Sequence, residues 1–181
     1  EGVLENPKVD VIFGMHIRCF QPLGTIAYKP KGMMAASDWY TIKVTGRQAH
    51  GATPWRGIDP VLVSAQIIQG LQGIISRQTE LTKEAAVISV GRISGGIREN
   101  IIPEQVEFSG TIRTLDSSMQ KDIKRRIVLT ATKIAEASGA QAAVTFSNKT
   151  MVVYNDPGLT TLVSGSFSKA AGADNVQLMN A

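Results

Sequence analysis

The sequence predicts an α+β fold, a four-stranded antiparallel sheet with two helices on one face. Three observations point there. Near residue 38 the hydrophobic pattern changes from continuous apolar runs to strict alternation, the period of half-buried strands. Two segments with capping signals carry apolar residues at helical spacing, and each lies between strand patterns. The resulting order over about 38–150, β-α-β-β-α-β, is the split pattern of ferredoxin-like domains.

The elements follow in order. VDVIFG at 9–14 is a nearly continuous apolar run closed by Gly14, as expected of a strand buried on both faces. GTIAY at 24–28 is a further short strand. The aperiodic stretch between them places His16 just beyond a strand end, where open α/β sheets gather ligand-binding groups. DWYTIKVTG at 38–46 sets Tyr40, Ile42 and Val44 on one face and Trp39, Thr41, Lys43 and Thr45 on the other. After the glycine-punctuated GRQAHGATPWRG, Asp59 and Pro60 supply the cap and first turn of a helix. Its buried stripe is expected at Val61, Ala65, Ile68, Leu71 and Ile75.

AAVISVGRI at 85–93 and EQVEFSGTIRT at 104–114 are strands joined by SGGIRENIIP. A second helix begins after Asp116 or Ser117, buries Met119, Ile123, Ile127, Thr130 and Ile134, and stops at Gly139. AAVTFSN at 142–148 closes the unit as its last strand. Asn155, Asp156 and Pro157 then start a third helix, with Leu159, Leu162, Val163, Phe167 and Ala170 at helical spacing up to Gly172, and VQLM begins a strand. Both ends read as elements of a different sheet, so the central unit reads as an insertion in a larger domain.

Composition narrows the function classes. With 43% hydrophobic and 19% charged residues the chain can bury a core, and no apolar run approaches the roughly 20 residues of a membrane span. The one cysteine, Cys19, permits no internal disulfide, and a cytoplasmic location is the expectation. The net charge of +4 is scattered except at 121–126. That run lacks the interleaved aromatics that stack bases, so it reads as a solvated helix face and no nucleic-acid partner is expected.

No HExxH, CxxC, P-loop or dinucleotide fingerprint occurs, and GRISGG at 91–96 lacks the strand-to-helix setting of a nucleotide loop. His16 is either a metal ligand or a hydrogen-bonded structural histidine; one imidazole cannot hold a metal alone, since a catalytic zinc takes three protein ligands. His50, between Ala49 and Gly51, is either an exposed loop residue or an N–H donor to charge developing on an attacked carbonyl. Asn100, before the rigid Ile101-Ile102-Pro103, either presents an oriented amide or caps the turn. Arg113, ending an edge-like stretch, either grips a substrate carboxylate or forms a surface ion pair.

VDVIFGMHIRC at 9–19, GMMAASDWYTIKVTGRQAHGATPWRGIDPV at 32–61, ISVGRISGGIRENIIPEQVEFSGTIRT at 88–114 and NDPGL at 155–159 resemble, in order and spacing, the amidohydrolase branch of the M20 metallopeptidases. That branch includes hippurate hydrolases, auxin-conjugate amidohydrolases and N-acyl amino acid deacylases. The resemblance implies a ferredoxin-like dimerisation, or lid, domain at 35–150 between fragments of an α/β catalytic domain at 1–34 and 151–181. It places a metal-binding histidine at His16, the histidine that stabilises the tetrahedral intermediate at His50, and substrate-carboxylate or lid contacts at Asn100 and Arg113. GRQAH stands where GKGGH is usual and keeps the histidine. The remaining metal ligands and the general-base glutamate of the family find no equivalent, so the fragment alone is expected to be inactive.

In the intact enzyme the resemblance implies divalent zinc, manganese, cobalt or nickel, with an N-acyl amino acid or short peptide as substrate. It also implies a homodimer through the lid, in which His50 of one subunit completes the site of the other. The GTIRT and DWYTIKVTG strands are expected to form or adjoin the free edge used for pairing. The contrasting expectation is a stand-alone protein-interaction module without chemistry, since ferredoxin-like units serve many roles.

Overall fold

The structure is a computed structural model that describes residues 2–179. Strands β1 (Ile26–Tyr28), β2 (Lys31–Met34), β3 (Ala36–Thr45) and β4 (Ala49–His50) precede helix α1 (Pro60–Gly73), which continues through a π-helical turn at Ile74–Gln78. Then come β5 (Ala86–Gly95), β6 (Ile101–Ile102), β7 (Gln105–Thr114), helix α2 (Ser117–Ala137) and β8 (Gln141–Thr150). The described chain closes with β9 (Val153–Asn155), helix α3 (Pro157–Ala171) and β10 (Val176–Leu178).

The main sheet has the order β5-β7-β3-β8, antiparallel throughout, which is the ferredoxin-like arrangement expected. Alternation along β3 buries Tyr40, Ile42 and Val44, and the facing residues Ile88, Phe108 and Ile112 join them beneath α1 and α2. Three aspartates begin the three helices: Asp59 accepts from the Val61 and Leu62 amides, Asp116 from Met119, and Asp156 from Leu159. At its other end α2 stops as expected. Gly139 takes φ +72, and the Gly139 and Ala140 amides donate back to the Glu136 and Ala135 carbonyls.

Four expectations need correction. The 9–14 run is irregular and exposed rather than a buried strand, with Ile12 70% and Phe13 56% accessible. A strand is a property of a pair, and among the described residues none lies beside it. The buried stripe of α1 is Val63, Ser64, Ile67, Leu71 and, in its last turn, Ile74; of the expected residues Leu71 is buried, Ile68 and Ile75 pack against the core in part, and Val61 and Ala65 are exposed. Apolar doublets such as Ile67-Ile68 and Ile74-Ile75 offer two stripes one residue apart, and docking on the sheet chooses between them. On α2 the stripe begins as expected at Met119, Ile123 and Ile127 but is completed by Ala131 and Ala135. Thr130 and Ile134 turn toward α1 instead, where Gly70 leaves room: a Cβ there would lie 2.8 Å from Thr130 and 2.9 Å from Ile134. Finally, β7 and β3 do not form the free edges but adjoin them: both are interior strands, and the edges are β5 and β8.

Before and after the main sheet the chain returns to itself. β1 pairs in parallel with β10, and β2 pairs antiparallel with β9, so the segments flanking the sheet meet. The Asn155 side-chain amide donates to the Lys29 carbonyl at 2.8 Å, and the largely buried Lys29 and Glu84 form an ion pair at 3.6 Å. Asp38 is fully buried under α2, where Lys124 pairs with it at 2.7 Å and Gln120 donates to it. This charge cluster ties the second helix to the interior of the sheet.

The α2 cap carries a pH prediction. The Ser118 hydroxyl, the Met119 amide and Lys83 hold the Asp116 carboxyl down at about 2, against a smaller opposing effect of burial. A depressed carboxyl contributes stability that is present above its unfolded value and lost as pH falls through the folded one. Asp116→Asn keeps a capping oxygen but loses the charge that Lys83 and the helix N-terminus stabilise, and is therefore expected to cost about 1 kcal/mol near neutrality. In urea unfolding followed against pH, the gap from wild type should shrink between about pH 4 and 2.

Candidate functional site

The loop after β3 is built to hold one imidazole outward. Its stem closes where Arg47 and Ile58 exchange backbone hydrogen bonds at 2.9 and 3.0 Å. It is then stitched to the segment before β7: the Gly46 amide donates to the Glu104 carbonyl at 2.9 Å, β4 pairs with β6 so that His50 faces Ile101, and the Gly51 amide donates to the Asn100 carbonyl at 2.8 Å. Gly57 makes the fold-back possible, since a Cβ there would sit 2.6 Å from the Arg47 carbonyl. Gly51 presses similarly on Asn100, with a built Cβ 3.2 Å from its oxygen. An exposed side chain is thus carried by a backbone held on two sides.

His50 is exposed, and its Nδ1 lies 3.1 Å from the Ala52 amide. An amide N–H can only donate, so Nδ1 accepts and the ring proton of the neutral imidazole resides on Nε2. The outward nitrogen is a hydrogen-bond donor, the polarity needed to meet an oxyanion. The contact comes from the backbone of Ala52, two residues farther on, so no side-chain motif announces it. Asn100 is exposed beside it. The turn it occupies is closed by the Ile101 amide on the Arg98 carbonyl, and its own carbonyl serves the His50 loop, so among the described hydrogen bonds its side-chain amide caps nothing.

Arg113 lies elsewhere. It sits on an interior strand rather than an edge, facing Ser37 on β3 and Val87 on β5, and makes no ion pair among the described residues. Thr45 lies at the His50 end of β3 and Ser37 near the other, eight residues apart, or roughly 27 Å at strand rise. The structure brings His50 and Asn100 together and leaves Arg113 at the far end of the sheet.

His16 is in the irregular segment before β1, exposed, with its Nδ1–H donating to the Ile17 carbonyl at 2.7 Å. That bond leaves Nε2 with its lone pair, the nitrogen suited to a metal. No group of three His, Cys, Asp or Glu side chains able to hold a metal ion occurs among the described residues. By themselves these residues do not fit a metal centre. Among the described residues no helix is long and apolar enough to cross a membrane.

The family model described as the peptidase dimerisation domain matches residues 36–138. An N-acetyl-L-cysteine deacetylase from Bacillus subtilis is 33% identical over 94% of this chain and 40% of its own length. Thermostable carboxypeptidase 2 from Saccharolobus solfataricus is 37% identical over 88% of this chain and 40% of its own. The crystal structure of a dinuclear metal-binding M20 peptidase from Bacillus subtilis superposes with a TM-score of 0.75 at 30% identity, covering 99% of this chain and 43% of that one. The chain thus spans about 40% of the length of the curated relatives it matches. A match of the dimerisation-domain model to more than half of the sequence, on a sheet with the expected strand order, means that this chain belongs to the M20 peptidase family.

Proposed function

We propose that residues 35–150 form the dimerisation and lid domain, and 1–34 and 151–181 parts of the catalytic domain, of a metal-dependent amidohydrolase that cleaves N-acyl amino acids or short peptides. The observation that carries this reading is the rigid loop presenting the Nε2–H of His50 next to Asn100. Such a donor, fixed before the reaction, stabilises negative charge on an attacked amide oxygen without reorganising. His16 would be one ligand of a divalent-metal site whose other ligands lie outside the described residues, and the dinuclear centre of the Bacillus subtilis peptidase supports that assignment. Arg113 would hold the substrate carboxylate through its planar fork.

The spacing of these groups favours two copies. A small substrate cannot reach both His50 and Arg113 across roughly 27 Å of one sheet, so a site using both draws them from different subunits. Of the two edges, β5 suits the dimer better. It exposes Ile93 (55%) and Val87 (51%) on ten residues of strand, whereas the outward residues of β8 at Gln141, Ala143, Thr145 and Ser147 are small or polar. Pairing one edge about a two-fold axis satisfies both copies.

The test uses the intact polypeptide that carries this chain, assayed against N-acetyl amino acids and dipeptides, with sedimentation measured in parallel. Hydrolysis by a dimer is expected, and Ile93→Glu should shift the dimer toward monomer and lower activity with it. A polypeptide that cleaves none of these amides, or a monomer with full activity, would refute the reading.

A further inference from the structure

We infer that Arg113 is the charged half of a recognition surface whose apolar half is Trp39, and that the pair selects N-acyl amino acids bearing an aromatic or large aliphatic side chain. This rests on the reading of Arg113 as the carboxylate contact. The neighbours Ile112 and Thr114 are buried, so the Arg113 side chain leaves the sheet on the face away from the helices. Trp39, between buried Asp38 and Tyr40, leaves on the same face. Register sets their relation: Arg113 faces Ser37, and Trp39 is two residues farther along β3, facing Thr111. The two are diagonal neighbours, about 7–8 Å apart at their bases and within reach of long side chains.

The composition of this corner is unusual for an open sheet face. Ser37, Ser89 and Thr111 are small and polar, as water-facing positions require, yet Trp39 is 53% exposed and Val87, directly beside Arg113, is 51% exposed. The nearby carboxylates are already engaged: Asp38 with Lys124, Glu84 with Lys29 and Asp116 with Lys83. A guanidinium flanked by an indole complements a monoanion whose carboxylate and apolar side chain spring from one carbon. Arginine alone would accept any carboxylate, N-acetylglycine included. The indole adds the discrimination, because an apolar side chain gains only where it can leave water.

The experiment follows the two indole N–H signals of the chain, Trp39 and Trp55, by NMR during titration with N-acetylphenylalanine, N-acetylglycine and N-acetylphenylalanine amide. N-acetylphenylalanine should move Trp39 and leave Trp55, which lies in the His50 loop, in place. Trp39→Ser should weaken N-acetylphenylalanine about five- to tenfold and leave N-acetylglycine within about twofold, a discrimination typical of one apolar contact. Trp39→Phe should keep the preference, and the amide should bind about tenfold more weakly than the acid for want of a carboxylate. If Arg113→Ala abolishes binding of both acids while Trp39→Ser leaves their ratio unchanged, the Trp39 surface is wrong and the carboxylate role of Arg113 stands. If Arg113→Ala changes neither acid, the carboxylate reading fails and this inference with it. No saturable movement of Trp39 by N-acetylphenylalanine would also overturn it.

Discussion

Alanine at His50 is expected to lower kcat of the intact polypeptide by about 10²–10³-fold with little change in KM, the loss associated with removing one oxyanion donor. The loop is held by backbone hydrogen bonds at Gly46, Arg47, Gly51 and Ile58, none of which uses the imidazole, so the substitution should leave the scaffold folded. What disappears is the Nε2–H that the Ala52 amide, by occupying Nδ1, forces outward. Subunit mixing then separates a trans role from a cis one. Dimers formed from His50→Ala and His16→Ala subunits, after exchange is verified, contain one site with both histidines if His50 acts across the interface. Random pairing should restore up to about a quarter of wild-type activity. Activity that stays at the level of the two separate variants would place His50 in its own subunit's site or remove it from catalysis.

Gly110→Ala is expected to be the most destabilising single methyl in the chain, at about 3 kcal/mol or more. Gly110 lies mid-strand on β7, between Tyr40 of β3 and the place where β5 shifts register between Val90 and Arg92. The Tyr40 hydroxyl passes over it to donate to the Ser89 carbonyl at 3.1 Å. Burial pushes that hydroxyl's pKa up to about 12, so it remains a donor across the working pH range. A Cβ on Gly110 would sit 1.9 Å from the Ser89 carbonyl oxygen and 2.6 Å from the Tyr40 oxygen. Because the closest clash is with backbone, Tyr40→Phe should cost about 1 kcal/mol alone and fail to rescue Gly110→Ala. Gly165→Ala, in α3 with nothing within 4 Å of its built Cβ, is the control and should be neutral or slightly stabilising. Urea unfolding of the four variants measures the series, and a Gly110→Ala protein as stable as wild type would contradict the packing described.

How far a sequence can be read depends on whether its signal is local. Alternation at 38–46, the aspartate caps at 59, 116 and 156, and the glycine stop at 139 are short-range, and each specified its element with nearly the observed bounds. The order β-α-β-β-α-β then left few ways to close an antiparallel sheet over two helices. The histidine between small residues and the Asn-Ile-Ile-Pro turn marked themselves as candidate site residues for similar local reasons.

Properties that belong to pairs of distant segments were decided only in three dimensions. Strand order made β3 and β7 interior, since each gains a partner on both sides, and that moved the free edge to β5 and β8. The 9–14 run shows the converse: its apolar residues encode a demand for burial, and without a strand alongside among the described residues that demand produces no strand. The α1 face was settled by docking, because two apolar stripes one residue apart are nearly equivalent along the helix and distinct only against a sheet. The sequence by itself determined the long strands and helices of the central sheet, their caps and the candidates for chemistry. Tertiary structure alone decided that His50 and Asn100 share one rigid end of the sheet while Arg113 and Trp39 share the other, because register is set by hydrogen bonding between strands remote along the chain.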